Sequence, residues 1–264
     1  VSLFVLVPGA WLGGWVWSDV VGELTRRGHQ AVPVTLTGLG ERSHLASRAV
    51  GLSTHIQDVV ATLDTIETSD TVLVGHSYGI FPALGAADRR PRSVARVVFL
   101  DTGMPRNGQS VTDAFLDAEQ KSALQRQVHH RGNGWRFPLP EADALPHWGS
   151  LAGLDAMALD RLRRLAAPHP YATFTEPLSL TGAADDLPTT KIFCTAGGID
   201  LALLRALHTA GDPRVTGLLD DNSTYFELAT GHYPMLSMPG ELASILVQAA
   251  TGGGQRLTPS QPAE

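Results

Sequence analysis

Gly75-His76-Ser77-Tyr78-Gly79 reads G-x-S-x-G, the stretch of this sequence best suited to covalent chemistry. The apolar run Thr71-Val72-Leu73-Val74 precedes it, and the small, apolar stretch Phe81 to Ala87 follows. Strand, sharp turn and helix are therefore expected, with the serine at the turn as a nucleophile. On so tight a turn the residues two positions away crowd the serine, and glycine has no Cβ to clash. The turn also sets Ser77 at a helix N-terminus, where partial positive charge favours a nearby oxyanion. A serine hydroxyl needs an adjacent base, and histidine is the usual one because it titrates near neutrality. Of the ten histidines, His232 follows the last predicted strand, in Gly231-His232-Tyr233-Pro234-Met235. The bland alternatives are a chance glycine-rich loop and a hydrogen-bonded loop histidine; the strand and helix around Ser77 weigh against the first.

Such a base needs a carboxylate to hold its tautomer. Asp200, after the predicted strand Lys191 to Thr195, is one candidate, and Asp101, ending the predicted strand Val94 to Leu100, is the other. Each has an ordinary reading: Asp200 as N-cap of a helix Leu201 to Ala210, Asp101 as a loop residue bonding amides. The sequence contains no H-E-x-x-H, C-x-x-C or G-x-G-x-x-G. No metal site and no cofactor are expected.

Alternating strands and helices must position these groups. Ser2 to Val7 reads as a strand buried on both faces. It runs into Pro8-Gly9-Ala10-Trp11-Leu12-Gly13-Gly14-Trp15, a glycine-rich loop able to offer N–H groups to an oxyanion. A helix Val16 to Arg27 and a strand Gln30 to Leu36 follow. A helix begins at Thr54, with Gln57 completing a capping box and Ile56, Val60, Leu63 and Ile66 on one face. Later elements are the helix Leu201 to Ala210, the strand Ser223 to Leu228 and the helix Pro239 to Ala250. The pattern predicts an α/β fold with a doubly wound, mostly parallel sheet. Ligands of such sheets bind outside the carboxyl ends of the strands, where Ser77, Asp101, Asp200 and His232 would gather.

Between 102 and 188 the rhythm stops, leaving helical patterns around Val111 to Val128 and Leu154 to Ala166. That segment is read as a helical cap inserted into a core of 1–101 and 189–250, with 251–264 as a disordered tail. Trp11, Trp135, Phe137, His147 and Trp148 are expected to line an apolar substrate pocket, although packing alone is an equal reading for any one of them.

At 264 residues, 43% of them hydrophobic and 17% charged, the composition is that of a soluble globular enzyme. A net charge of −6 without a Lys/Arg cluster argues against a nucleic-acid partner. Cys194, the single cysteine, lies in an apolar run and is expected buried in a strand. No stretch approaches the roughly 18–20 apolar residues of a membrane span, and no signal-peptide pattern opens the chain. A cytoplasmic enzyme with a small-molecule substrate is expected. The sequence carries no sign of its oligomeric state.

Gly75 to Gly79, the loop Thr37-Gly38-Leu39-Gly40-Glu41-Arg42 and Gly231-His232-Tyr233-Pro234-Met235-Leu236-Ser237 together resemble the α/β-hydrolase superfamily. The branch they resemble is the small bacterial esterases related to plant methyl-salicylate esterases and hydroxynitrile lyases. The resemblance implies Ser77 as nucleophile, His232 as base and the N–H groups of Ala10 and Tyr78 as an oxyanion hole. It favours Asp200 as the acid, since the superfamily usually places it after that strand, with Asp101 as the alternative. The branch carries histidines where this chain has Pro8 and Leu12, which changes the pocket wall. Hydroxynitrile lyases carry a lysine where Tyr233 stands and a threonine where Gly9 stands, so the esterase side is implied. The expected activity is hydrolysis of a small apolar or aromatic carboxylic ester, lactone or thioester through an acyl-enzyme. The rivals are a lyase or decarboxylase on the same fold and a ligand-binding receptor with a vestigial triad.

Overall fold

In the computed structural model, which describes residues 1–212, 215, 217–220 and 222–256, four interior strands are built from apolar runs. The elements are β1 Leu3–Val7, α1 Ser18–Arg26, β2 Gln30–Pro33, α2 Leu52–Asp64, β3 Thr71–His76, α3 Ile80–Arg89 and β4 Arg96–Leu100. Next come α4 Val111–Phe115, α5 Ala118–Arg131, β5 Arg136–Phe137, α6 Ala156–Leu165, β6 His169–Pro170 and α7 Ala172–Thr175. The chain closes with β7 Thr189–Cys194, α8 Leu201–Thr209, β8 Ser223–Leu228, α9 Pro234–Ser237 and α10 Pro239–Ala250.

Six strands form one parallel sheet in the order β2-β1-β3-β4-β7-β8. The interior strands are buried throughout or nearly so. The half-exposed β2, which ends in Pro33, takes the edge where a missing N–H is tolerated. Helices α2 and α3 cover one face and α1 and α10 the other, each face with its own apolar cluster. From β1 the chain goes to one side and then returns to β3 on the other, so the order reverses between β1 and β3. That reversal opens a crevice at the carboxyl ends of these two strands. The glycine-rich loop leaves one of them and Ser77 the other.

The strand and helix pattern is as the sequence suggests, with displaced ends. Helix α2 starts at Leu52, not Thr54; Thr54 lies in the first turn, where its hydroxyl accepts from the Gly51 N–H at 3.3 Å. Ile56, Val60 and Leu63 are buried. The segment between β4 and β7 also holds an antiparallel pair, β5 with β6, that apolar periodicity does not announce because each strand has two residues. This segment has no core of its own. Val111, Leu124, Val128, Phe137, Ala167, Phe174 and Leu178 join the cluster on the α2–α3 face, and Leu145 and Leu162 the cluster on the α1–α10 face. Residues 251–256 of the expected disordered tail are instead tied down: the Gln255 backbone exchanges two 2.9 Å hydrogen bonds with Tyr225. The rest of that tail lies outside the described residues. No helix among the described residues is long and apolar enough to cross a membrane.

Candidate active site

The buried central strand β3 delivers Ser77 at its carboxyl end with φ +51°. The flanking glycines are required by contact. A Cβ on Gly75 would sit 2.6 Å from Ile80 Cα, and one on Gly79 would sit 2.5 Å from the Pro8 carbonyl oxygen. The Thr102 hydroxyl braces the turn by donating to the Ser77 carbonyl at 3.1 Å.

His232 follows β8 and is held on three sides. Its Nδ1 lies 2.6 Å from Asp101 Oδ2, its N–H donates to the Ser150 carbonyl at 2.7 Å, and its carbonyl accepts from His76 Nε2 at 2.7 Å. A carboxylate only accepts, so Nδ1 carries the proton and Nε2 presents a lone pair. Gly149 passes under the ring so closely that a Cβ there would lie 2.4 Å from His232 Cδ2. His76 is fully buried, and burial followed by the nearby His232 pushes its pKa down to about 3. It is therefore a neutral brace.

The carboxylate bonded to His232 belongs to Asp101, not to Asp200, the acid favoured from sequence. Asp101 follows β4 with φ +46°, and its Oδ1 accepts the Cys194 N–H at 2.9 Å. Burial pushes its pKa up, but the bond to His232, the charge that ring carries when protonated and the Cys194 N–H outweigh it and hold the carboxyl below its ordinary value. Asp200 is exposed and caps α8, accepting the Leu203 N–H at 2.7 Å. The turn Thr195–Gly197 carries the chain on before Asp200 is reached, so Asp200 arrives as the cap of a helix rather than at the strand end.

Ser77, Asp101 and His232 open on one cavity of about 960 Å³. Ala10, Trp11 and Tyr78 line it beside the serine, with His147 and Trp148 on the wall from the β4–β7 segment. Two expected pocket residues do not reach it. Trp135 stacks under the Arg136 guanidinium at 4.1 Å, and Phe137 is fully buried behind Trp11 and Trp148, 5.1 Å and 4.9 Å away between ring centroids. The tryptophans flanking Phe137 take the surface that it was expected to occupy. Phe174, Phe115 and Val111 complete the aromatic and aliphatic wall. Cys194 ends β7 as a buried thiol, its pKa pushed up by burial and by the Asp101 charge.

Sequence reasoning passed over three buried histidines: His55, His76 and His169. His55 shares its helix face with Leu52 and Val59, also buried, so a polar residue on an apolar stripe is the signal that could have found it. Among the described residues, no three His, Cys, Asp or Glu side chains gather as metal ligands.

The chain matches the alpha/beta hydrolase family over residues 4–245. It is 31% identical to a carbendazim-hydrolysing esterase of Nocardioides sp. (strain SG-4G), across 92% of this chain and 97% of that protein. Among solved structures, an extracellular alpha/beta-hydrolase from a Paenibacillus species superposes with a TM-score of 0.76 at 21% identity, covering 94% of this chain and 99% of that one. A methylesterase from Arabidopsis superposes with a TM-score of 0.69 at 18% identity, covering 96% and 100%. These two likenesses are of fold.

Proposed function

Because the chain belongs to the alpha/beta hydrolase family, as a carboxylic ester hydrolase, we propose that it works through an acyl-enzyme on Ser77, with His232 as base and Asp101 as acid. The observation that carries this reading is the Asp101–His232 pair at 2.6 Å opening on the cavity that holds a serine in left-handed backbone. The Ser77 hydroxyl attacks the ester carbonyl and gives its proton to His232 Nε2. Asp101 holds the Nδ1–H tautomer and stabilises the imidazolium. The N–H groups of Ala10 and Tyr78 receive the oxyanion, since both residues line the cavity beside Ser77. His232 then protonates the leaving group, the acyl-enzyme remains, and a water deprotonated by His232 releases the acid.

The walls suit a small apolar or aromatic ester, lactone or thioester: Trp11, Trp148, Phe174, Phe115 and Val111 give it flat and aliphatic surface. A relative named as a carbendazim-hydrolysing esterase is consistent with ester hydrolysis. Residues 102–188 act in this reading as a cap that sets specificity. The test is a fluorophosphonate probe together with a panel of p-nitrophenyl and aryl methyl esters. The wild type should be labelled once and turn the panel over, and Ser77→Ala should abolish both. Labelling that survives Ser77→Ala would overturn the assignment.

A further inference from the structure

The oxyanion loop is in a conformation that cannot hold itself. Trp11, immediately after Ala10, has φ +66°, a region that a bulky side chain adopts only when its surroundings impose it. Three hydrogen bonds impose it, all from the β4–β7 segment. The Trp11 N–H donates to His169 Nδ1 at 3.0 Å, its indole N–H donates to the Phe137 carbonyl at 3.0 Å, and its carbonyl accepts from the Ala167 N–H at 2.9 Å. On the other side of the serine, the Tyr78 hydroxyl lies 2.7 Å from His55 Nδ1, while His55 Nε2 lies 2.8 Å from the Thr37 carbonyl.

Hydrogen-bond chemistry fixes both tautomers. A carbonyl only accepts, so His55 carries its proton on Nε2, and its Nδ1 accepts from the Tyr78 hydroxyl. A backbone N–H only donates, so His169 accepts at Nδ1 and carries its proton on Nε2. That Nε2 is buried without a hydrogen-bond partner, against the Tyr78 ring at 4.6 Å between centroids. Burying an unpaired N–H is costly, and a phenylalanine would fill the site without that cost. What a phenylalanine lacks is the Nδ1 acceptor. The two imidazoles meet edge to face at 5.6 Å, forming one buried unit behind the two residues proposed to receive the oxyanion.

We infer that His55 and His169 are positioning residues for the oxyanion hole, His169 acting through Trp11 on the Ala10 loop and His55 through the Tyr78 side chain. This inference rests on the acyl-enzyme reading above. Neither histidine lines the cavity, so neither meets the substrate. Their effect falls on the transition state, where the oxyanion forms, and not on ground-state binding.

The experiment compares His169→Leu, which fills the space without an acceptor, with His169→Asn, whose side-chain oxygen can replace Nδ1. Turnover of an aryl ester, affinity for a trifluoromethyl ketone and thermal unfolding are measured on each. His169→Leu should lose on the order of 10²–10³ in kcat, the effect of removing an oxyanion donor, with KM nearly unchanged and a parallel loss of ketone affinity. His169→Asn should recover kcat to within about tenfold of wild type. Tyr78→Phe, which removes the hydroxyl that donates to His55, should lower kcat with KM unchanged. A folded His169→Leu with wild-type kcat would overturn the inference, as would a folded His169→Asn as impaired as a missing donor. If His169→Leu does not fold, the Asn variant and Tyr78→Phe decide between these outcomes. Loss of labelling and turnover in Ser77→Ala alongside an unaffected His169→Leu would leave the hydrolase standing and remove only this inference.

Discussion

Trp11, Ser77 and Asp101 are three of the four non-glycine residues with positive φ among those described, and all three line the cavity. Each costs about 1–3 kcal/mol that the surrounding contacts must offset, so the strain is concentrated where reacting groups have to be aimed. Asp101 reaches His232 because its backbone turns out of β4 in this way, and a sequence does not display a positive φ at an aspartate. This is why the places of Ser77 and His232 on the cavity were legible, each carried by a motif, while the carboxylate bonded to His232 was not. Asp101→Asn should lower turnover on the order of 10⁴-fold in folded protein, since the amide no longer enforces the tautomer. Asp200→Ala should leave turnover within about twofold and cost about 1 kcal/mol, the loss of an N-cap. Steady-state rates and urea midpoints on the two variants check both. A second expectation concerns the elbow. Gly79→Ala must drive a Cβ toward the Val7 and Pro8 carbonyl oxygens, 2.7 Å and 2.5 Å away. It should destabilise by at least the 1–3 kcal/mol typical of overpacking, read as a lower melting temperature.

Between β4 and β7 the chain separates residues that pack from residues that face the cavity, and composition alone cannot tell them apart. Trp135, Phe137 and Trp148 are all aromatic and close in sequence, yet only Trp148 lines the cavity. Phe137→Ala should cost about 3–5 kcal/mol, the usual loss for a buried aromatic. Trp148, half-buried at the cavity wall, should lose less on truncation and should instead shift the preference between aryl and short alkyl esters. Comparing kcat/KM across the ester panel with unfolding midpoints separates the two; unchanged selectivity in folded Trp148→Ala would contradict it. The sheet elements were legible because each carries its own apolar run. The pair β5–β6 was not, because two-residue strands are set by their tertiary partners, and one of them carries His169 to Trp11.

Across the whole molecule, three neutral histidines are buried in the described structure. Burial above all depresses His55 to about 4 and His76 to about 3, and holds His169 well below its ordinary value. In the unfolded chain each binds a proton near pH 6.5. Below that pH, and down to about 4 for His55 and about 3 for His76, the unfolded state holds protons that the folded state lacks, so stability falls as pH falls through this window. The slope is roughly 1.4 kcal/mol per pH unit for each histidine, and the contribution vanishes above the window. Urea midpoints at pH 7.5, 6 and 5 should show this loss, and His169→Asn should lose about one proton's worth of slope; parallel slopes would contradict it. The bonds from His169, Phe137 and Ala167 to Trp11 also bear on engineering. Because the segment that lines the cavity also clamps the loop beside the serine, it is not a modular cassette. A chimera that grafts a relative's 102–188 region to import its specificity would discard these bonds too, so redesign is better done by single substitutions on the wall than by exchange of the whole segment.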